Sequence, residues 1–457
     1  MALGEERGQA QTLQVEMVCL DELVPADDRY RRLDGLVDWG FVRELAAPYY
    51  AQDVGRPSID PIVLVKLMVA GAMEGIGSMR ELLRVAALRL DLRRFLGYGF
   101  CERLPAHQTL SHAHTVRFVD GELFERLFLR SVALCREHGL LDGTHLSVDG
   151  FHVEADAALT SLRASLKPAA ERKEDERSLH PEGAQRAPQA PSAQLALAEP
   201  RSGPTPKRTS SNRTAVSRSD PEARLRGKPG QRPHLVHRGQ VAVDPRSRCV
   251  VACLGERADG YEGDALAEIA DRARFCCPEL ASVGADQGYA ARRVWRALEK
   301  RGIEAFVPPQ PRMLPPDGEA KSEAQRAAQA ARERCKSARG IWAHRHRLAD
   351  SEGAIAELKN RHALDRARRR GTPPFHVQLL LGCTALNMKR LATRVGQAGE
   401  GWAAGLVSGA AASVGLVAGA SVDQHAIRWR SIDVPSTHDG LHRPITVAVW
   451  SLVVSLS

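Results

Sequence analysis

Three carboxylates stand where phosphoryl-transfer chemistry would need them. The stretches HLSVDG (145–150) and SVGADQGY (282–289) each place an aspartate, Asp149 and Asp286, after an apolar, β-prone run. The stretch DSEGAIAELK (350–359) places Glu352 at the start of an amphipathic segment. Divalent magnesium takes hard oxygen ligands, and a pair of such ions clamps the attacking and leaving oxygens of a phosphodiester. Each aspartate alone has a plainer reading, because Asp commonly ends a strand where the chain turns. The order and company of all three argue for chemistry.

The elements that must position them follow from the local pattern. His145 to Val148 alternates, and Phe151 to Glu154 can continue it, so Asp149 lies at the end of a strand or within one. Asp286 follows the apolar run Leu280–Ala285 and precedes AARRVWRALEKRG, a helical pattern. That is strand, turn, helix, with the carboxylate at the strand's carboxyl end, where open α/β sheets place their ligands. Leu348, Ile355, Ala356 and Lys359 lie at −4, +3, +4 and +7 from Glu352 and share its helical face, which predicts an inward-facing carboxylate. The alternative is a first-turn glutamate favoured by the helix dipole, with Asp350 or Ser351 as N-cap. Glu357, five residues on, falls about 140° round the axis and is predicted on the solvent side.

Longer segments carry a resemblance. LVPADDRYRRLDGLVDWGFVREL, GRPSIDPIVLVKLMVAG, LPAHQTLSHAHTVRF, LSVDGFHVEADAAL, DPEARLRGKPG, GADQGY and EGAIAELKNRHALDRARRRG occur in this order between about Leu23 and Leu391. Together they resemble the bacterial insertion-sequence transposases of the DDE type, in the group with an InsH-like N-terminal domain. The resemblance implies that Asp149, Asp286 and Glu352 are the catalytic and metal-binding triad, with Lys359 the lysine seven residues after the glutamate. It implies an α/β fold, an RNase H-like catalytic domain of mixed sheet flanked by helices, preceded by an all-helical domain. It implies two Mg²⁺ ions, replaceable by Mn²⁺, cleavage of element ends and transfer of the 3′ ends to target DNA. Double-stranded DNA (terminal inverted repeats and target) and a homodimer or larger synaptic complex are the implied partners. Relatives carry Tyr and Arg seven and four residues before the glutamate; here Arg345 and Leu348 stand there, and Arg347 is one place off. Ala106 replaces an expected Asp. An RNase H-like nuclease without strand transfer, or an inactive DNA-binding relic, would share much of this pattern.

Composition agrees with a polyanionic partner: the 457 residues carry a net charge of +9 with a pI near 9.2. The basicity is clustered. Residues 359–370 hold six cations (Lys359, Arg361, Arg366, Arg368, Arg369 and Arg370) against one Asp, next to the Glu352 segment, and are the expected DNA contacts. Residues 201–238 hold ten cations against two acids, which by default is a solvated stretch. Nine scattered cysteines without a C-x-x-C pair, and no signal peptide, point to a reducing cytoplasm, with nucleoid association implied by the DNA partner. His344 and His346 lie near Glu352 and suit surface or phosphate contacts better than magnesium ligation.

The expected division is a helical, DNA-binding domain over 16–144, a catalytic domain over 145–160 and 234–394, a basic disordered insertion over 161–233, and an atypical tail over 395–457. Asp60-Pro61 opens IVLVKLMVAGAM, and Ser78 to Glu81 forms a capping box before LLRVAALRL, a helix-turn-helix-like pair. Asp244 to Ser247 between two alternating runs is a hairpin signal. Pro308 to Arg339 reads as a mobile basic insertion with one helical stretch near 319–336. In the tail, 405–421 is small and apolar and 445–456 is β-prone; both are too short for a membrane span, so no membrane is expected. A frameshifted or read-through origin explains such an end.

Overall fold

The structure is a computed structural model that describes residues 18–50, 58–113, 118, 121–164, 212, 215–227, 232–316, 319–320, 322–408, 429–434 and 445–450. It divides into two compact units, Met1–Glu400 and Gly401–Ser457. In the second, strands Trp429–Val434 and Ile445–Trp450 pair antiparallel. The apolar stretch at 409–421 lies outside the described residues.

Every element described before His145 is helical: α1 (Leu20–Leu23), α2 (Arg29–Leu36), α3 (Gly40–Ala46), α4 (Pro61–Glu74), α5 (Met79–Leu88), α6 (Leu90–Leu96), α7 (His107–His112) and α8 (Glu122–Glu137), with a 3-10 turn at Ala47–Tyr49. Asp60 caps α4 by accepting from the Ile62 amide, with Pro61 in the first turn, where its missing N–H costs nothing. Gly75 ends α4 at φ 70°, and a Cβ there would stand 2.8 Å from the Arg361 carbonyl, so both conformation and space demand glycine. Ser78 then caps α5, which leaves α4 at 94°. Most of α4 is buried from Leu64 to Gly71, while α5 buries only Leu82, Leu83 and Ala86 and turns Arg80, Arg84 and Leu88 outward. Among the described residues no single helix is long and apolar enough to cross a membrane.

The sheet of the first unit is built on β1 (His145–Glu154), a continuous ten-residue strand in which Asp149 sits mid-way. Two strands of the insertion, β2 (Leu162–Ala164) and β3 (Ala215–Ser217), pair with each other, and β4 (Arg224–Arg226) follows them. β5 (His234–Val243) and β6 (Val250–Arg257) form the expected hairpin, and β7 (Ser282–Gly284) and β8 (Glu304–Phe306) complete the set. The order is β4-β5-β1-β7-β8, with β6 sharing β5's outer edge with β4. β5 runs antiparallel to β1; β7 and β8 run parallel to it. Helices α9 (Leu266–Cys276) and α10 (Arg292–Glu299) connect β6 to β7 and β7 to β8. The run 303–308 contributes β8, as its β-branched and aromatic residues predict.

The expected insertion is structured at its ends. β3, β4 and the turn between them fold because Asp220, fully buried, accepts from His237 at 2.9 Å, from the amides of Glu222 and Ala223 at 3.2 Å, and from the Gly371 amide at 3.1 Å. A single carboxylate thus nails a Pro- and Arg-rich segment to the sheet, a long-range effect without local periodicity. The disorder expected over 165–211 lies outside the described residues. The stretch 308–339 contains the helix expected near 319–336, α11 (Glu323–Lys336), which a Ser322–Gln325 capping box starts and which buries Ala328 and Ala331, and a 3-10 turn at Pro311–Met313 precedes it.

Helices α12 (Ala338–His346) and α13 (Glu352–Arg361) are joined without a break by a π-helical turn over Arg347–Ser351, so Glu352 does not stand at a free helix start as expected. Arg347, Asp350, Ser351, Ala354 and Leu358 form its buried stripe, at i, i+3, i+4, i+7 and i+11. The final helix, α14 (Thr372–Ser408), carries VQLLLGCTALNMKRLA into the core.

Candidate active site

Register brings the two aspartates together. In the parallel β1–β7 pair, Ser147 stands opposite Gly284. Asp149 and Asp286 each lie two residues beyond, Asp149 mid-way along β1 and Asp286 just past the end of β7, so both follow on the same side of neighbouring strands. Asp149 is largely buried on β1; its Oδ1 accepts from the Gly150 amide at 2.9 Å. Asp286 caps the 3-10 turn Gln287–Tyr289, accepting from the Gly288 amide at 2.8 Å. A Cβ on Gly288 would meet that same Asp286 oxygen at 2.9 Å, so the turn closes only over glycine.

Burial pushes the Asp149 carboxyl up to about 6, against the lowering effect of Arg347, and the charges of Asp286 and Glu352 add to the rise. The three carboxylates therefore share one field. Their donor chemistry fits a hard divalent cation, which would relieve that repulsion. They are not drawn into a closed cage: among the described residues no group of three His, Cys, Asp or Glu side chains is gathered closely enough to hold an ion.

Glu352 opens α13 but is exposed, as is Leu348, while Ile355 is only partly buried. The inward face predicted for it is corrected. Leu348, Glu352 and Ala356 do share a face, but it is the exposed one, and the buried stripe runs through Arg347, Ser351 and Ala354 instead. Arg347 on that stripe reaches the site: its Nη1 donates to Asp149 Oδ2 at 2.9 Å, both side chains being largely buried. Asp350 anchors the turn from its other side, pairing with Arg248 at 2.9 Å and His346 at 2.8 Å. Glu357, expected on the surface, is 14% exposed and clamped by Lys389 at 2.7 Å and by Arg390. The His362 ring beside it holds its carboxyl well below the usual range despite burial, and Lys389 and Arg390 lower it further.

Beneath the aspartates lies a polar brace that the sequence reading did not include. Tyr289, fully buried, donates its hydroxyl to Gln240 Oε1 at 3.1 Å, and Gln240 donates to Glu256. Arg238 donates to the same Glu256 oxygen at 2.8 Å and stands 3.6 Å from Glu262. Burial, with Asp149, Glu262 and Asp286 around it, holds the Tyr289 phenol protonated. A Cβ on Gly150 would meet the Tyr289 hydroxyl oxygen at 3.0 Å, so the ring packs directly under the Asp149 strand. Gln240 carried one usable signal, a polar residue inside an apolar strand run; Glu262 carried none.

The basic run does not form one face. Lys359 lies 5.6 Å over the Phe151 ring, and burial lowers its pKa. Arg366 and Arg370 converge on Asp156, each at 3.6 Å, and Arg368 pairs with Asp365 at 2.9 Å. Arg369 is half-buried, which lowers its pKa. Arg361 points elsewhere, into a cleft between α13 and α14. His344 is exposed, and His346 stacks 4.4 Å from Trp342.

Two family models match the chain: a Transposase domain (DUF772) over residues 18–115 and a Transposase DDE domain over residues 317–392. By these two matches the chain resembles the DDE transposases. Glu352 and Lys359 lie inside the second match; Asp149 and Asp286 lie between the two. No curated protein matches the chain. Among solved structures it is similar to a Mos1 transposase paired-end complex with the left transposon end, at 10% identity over 67% of this chain and 82% of that one. It is similar also to a pre-cleavage Mos1 transpososome, at 10% identity over 75% and 81%. Both likenesses have a TM-score of 0.17, too low to carry an argument about this chain's fold.

Proposed function

We propose that this chain is a DDE transposase that cleaves the ends of a DNA element and joins the freed 3′ ends to target DNA, using Asp149, Asp286 and Glu352 on an RNase H-like sheet. The observation that carries the reading is the parallel β1–β7 register, Ser147 opposite Gly284, from which Asp149 and Asp286 each lie two residues on, within the field of Glu352. The strand order β6-β5-β1-β7-β8, antiparallel on one side of β1 and parallel on the other, supports the fold assignment.

The residues divide the work. Asp149 and Asp286, fixed by the strands, and Glu352, delivered by α13, would hold two Mg²⁺ or Mn²⁺ ions. Such ions, when bound, supply Lewis-acid charge that acidifies an attacking water and stabilises a leaving oxygen. Tyr289 and Gln240 hold the Asp149 strand in place from below. Arg347 keeps a positive charge on Asp149 Oδ2 and is itself positioned by the π-turn. The cations of α5 and of 359–370 supply backbone contacts to double-stranded DNA, in a homodimer or larger assembly that pairs two ends.

An end-containing DNA fragment incubated with purified protein tests this. Nicked and joined products are expected with Mg²⁺ or Mn²⁺, none with excess chelator, and Asp149→Ala or Asp286→Ala should lower the rate roughly a thousandfold or more, a loss of several kcal/mol of transition-state stabilisation. Cutting in excess chelator sinks the proposal. Cutting without joined product reduces it to a nuclease.

A further inference from the structure

Helices α13 and α14 enclose an open cleft of about 510 Å³ lined by Ala356, Glu357, Asn360, Arg361, Lys389 and Arg390. Its charges do not balance. One carboxylate, Glu357, faces three cations. Lys389 and Arg390 are both spent on Glu357. Arg361 is exposed and has no ion pair among the described residues, and the Arg390 Nε is buried with no hydrogen-bond partner there. The cleft thus carries an excess of about two positive charges, with Asn360 and Arg361 on its exposed lining and Lys389 and Arg390 behind them. Around α13, Arg361 lies nine residues from Glu352, about 180° away, so the cleft is on the far side of the helix from the carboxylate site.

We propose that this cleft is an anion subsite that takes a backbone phosphate of double-stranded DNA, away from the phosphodiester that reacts. The inference rests on the transposase reading for its choice of DNA as the phosphate's source. The Arg361 guanidinium fork suits a phosphate's oxygens directly, while Lys389 and Arg390, held on Glu357, add positive field behind it. Such a contact fixes the duplex against the protein and reads no base.

The test is a salt titration of duplex binding by the full chain, followed by fluorescence anisotropy in excess chelator. Arg361→Gln removes the unpaired cation, and Ala356→Glu adds a carboxylate to the cleft without removing any group; both positions are exposed, so folding is not at stake. Arg126→Gln, on α8 and paired with Glu122, is the control. Both cleft variants should bind about three- to tenfold more weakly at moderate salt. Their plots of log K against log salt should be shallower by about 0.9, the share of one phosphate. The loss should be equal on duplexes of unrelated sequence, and the control should match the wild type. Wild-type binding with unchanged affinity and slope in both cleft variants overturns the subsite alone. Absence of wild-type binding to any duplex overturns the transposase reading itself. Inorganic phosphate that stabilises the wild type but not Arg361→Gln, with duplex binding unaffected, reassigns the cleft to the free ion and overturns the DNA contact.

Discussion

The strands and the helix hold their carboxylates by opposite means. Asp149 and Asp286 are set by a parallel ladder, capped by backbone amides and underlain by the buried Tyr289. Glu352 stands at the solvent on α13, and its direction depends on a five-residue π-turn whose fixed points are Arg347 and Asp350. One half of the site is therefore part of the core, and the other is an adjustable arm. The lesson is that burial, not membership of the site, decides what a substitution does to stability. Two glutamates on the arm test this most strongly. Glu352→Ala should lower DNA-end cleavage roughly a thousandfold while shifting stability by no more than about 0.5 kcal/mol. Glu357→Ala should do the reverse: it leaves Lys389 and Arg390 without their shared carboxylate and should cost about 2 kcal/mol in urea unfolding, with cleavage by the folded fraction retained. A destabilised Glu352→Ala, or a fully stable Glu357→Ala, would break the contrast.

How much of this was legible follows the same divide. The strand half was readable, because alternation marked β1, β5 and β6, and an apolar run ending in Asp286 marked β7. Period-2 patterning survives in any one sequence, and register then did the rest. The arm was readable only in part. Helical periodicity groups Leu348 with Glu352 on one face, but the core takes another, the stripe Arg347, Asp350, Ser351, Ala354 and Leu358, and Leu348 is 42% exposed. The arginine that seemed one place out of step is the one that reaches Asp149. Glu357 was misplaced for another reason: its partners, Lys389 and Arg390, are more than thirty residues away, and no local pattern reports them. The same holds for Asp220, whose contacts to His237 and Gly371 order a segment that composition alone marks as unstructured.

The buried half should also respond to acid between pH 7.5 and 5. His145, on β1, donates or accepts at Ser282 Oγ at 2.8 Å, and burial, with the charges of His346 and Arg339, lowers its pKa to about 4. A depressed folded pKa means that stability is complete above the unfolded value of about 6.5 and is lost as pH falls toward 4. Proton linkage puts the loss from His145 at about 2 kcal/mol at pH 5 relative to pH 7.5. Asp149 works in the other direction, since a carboxyl raised to about 6 gains stability as pH falls through that value. The difference between wild type and His145→Gln isolates the histidine: their urea midpoints should converge as pH drops from 7.5 to 5. Parallel curves over that range would show that His145 is not held neutral by burial.

The smallest effect lies under the aspartates. Tyr289→Phe keeps the ring that packs against Gly150 and removes one hydroxyl, which donates to Gln240 Oε1. Gln240 keeps its other bond, through its amide to Glu256, so the brace is thinned and not dismantled. A buried hydrogen bond of this kind contributes about 1 kcal/mol, and leaving the Gln240 oxygen unpaired accounts for most of the cost. The loss should therefore be about 1 kcal/mol in urea unfolding. Because Gln240 stands opposite Gly150 in the β1–β5 ladder, the slackening falls on the residue next to Asp149. A change there should weaken divalent-cation affinity, read by calorimetry, by a few-fold, whereas Glu357→Ala, far larger in stability, should leave that affinity of the folded protein alone. Equal cation affinity in Tyr289→Phe and wild type would mean that the strand holds Asp149 without the brace, and that the rigid half of the site owes its order to the ladder by itself.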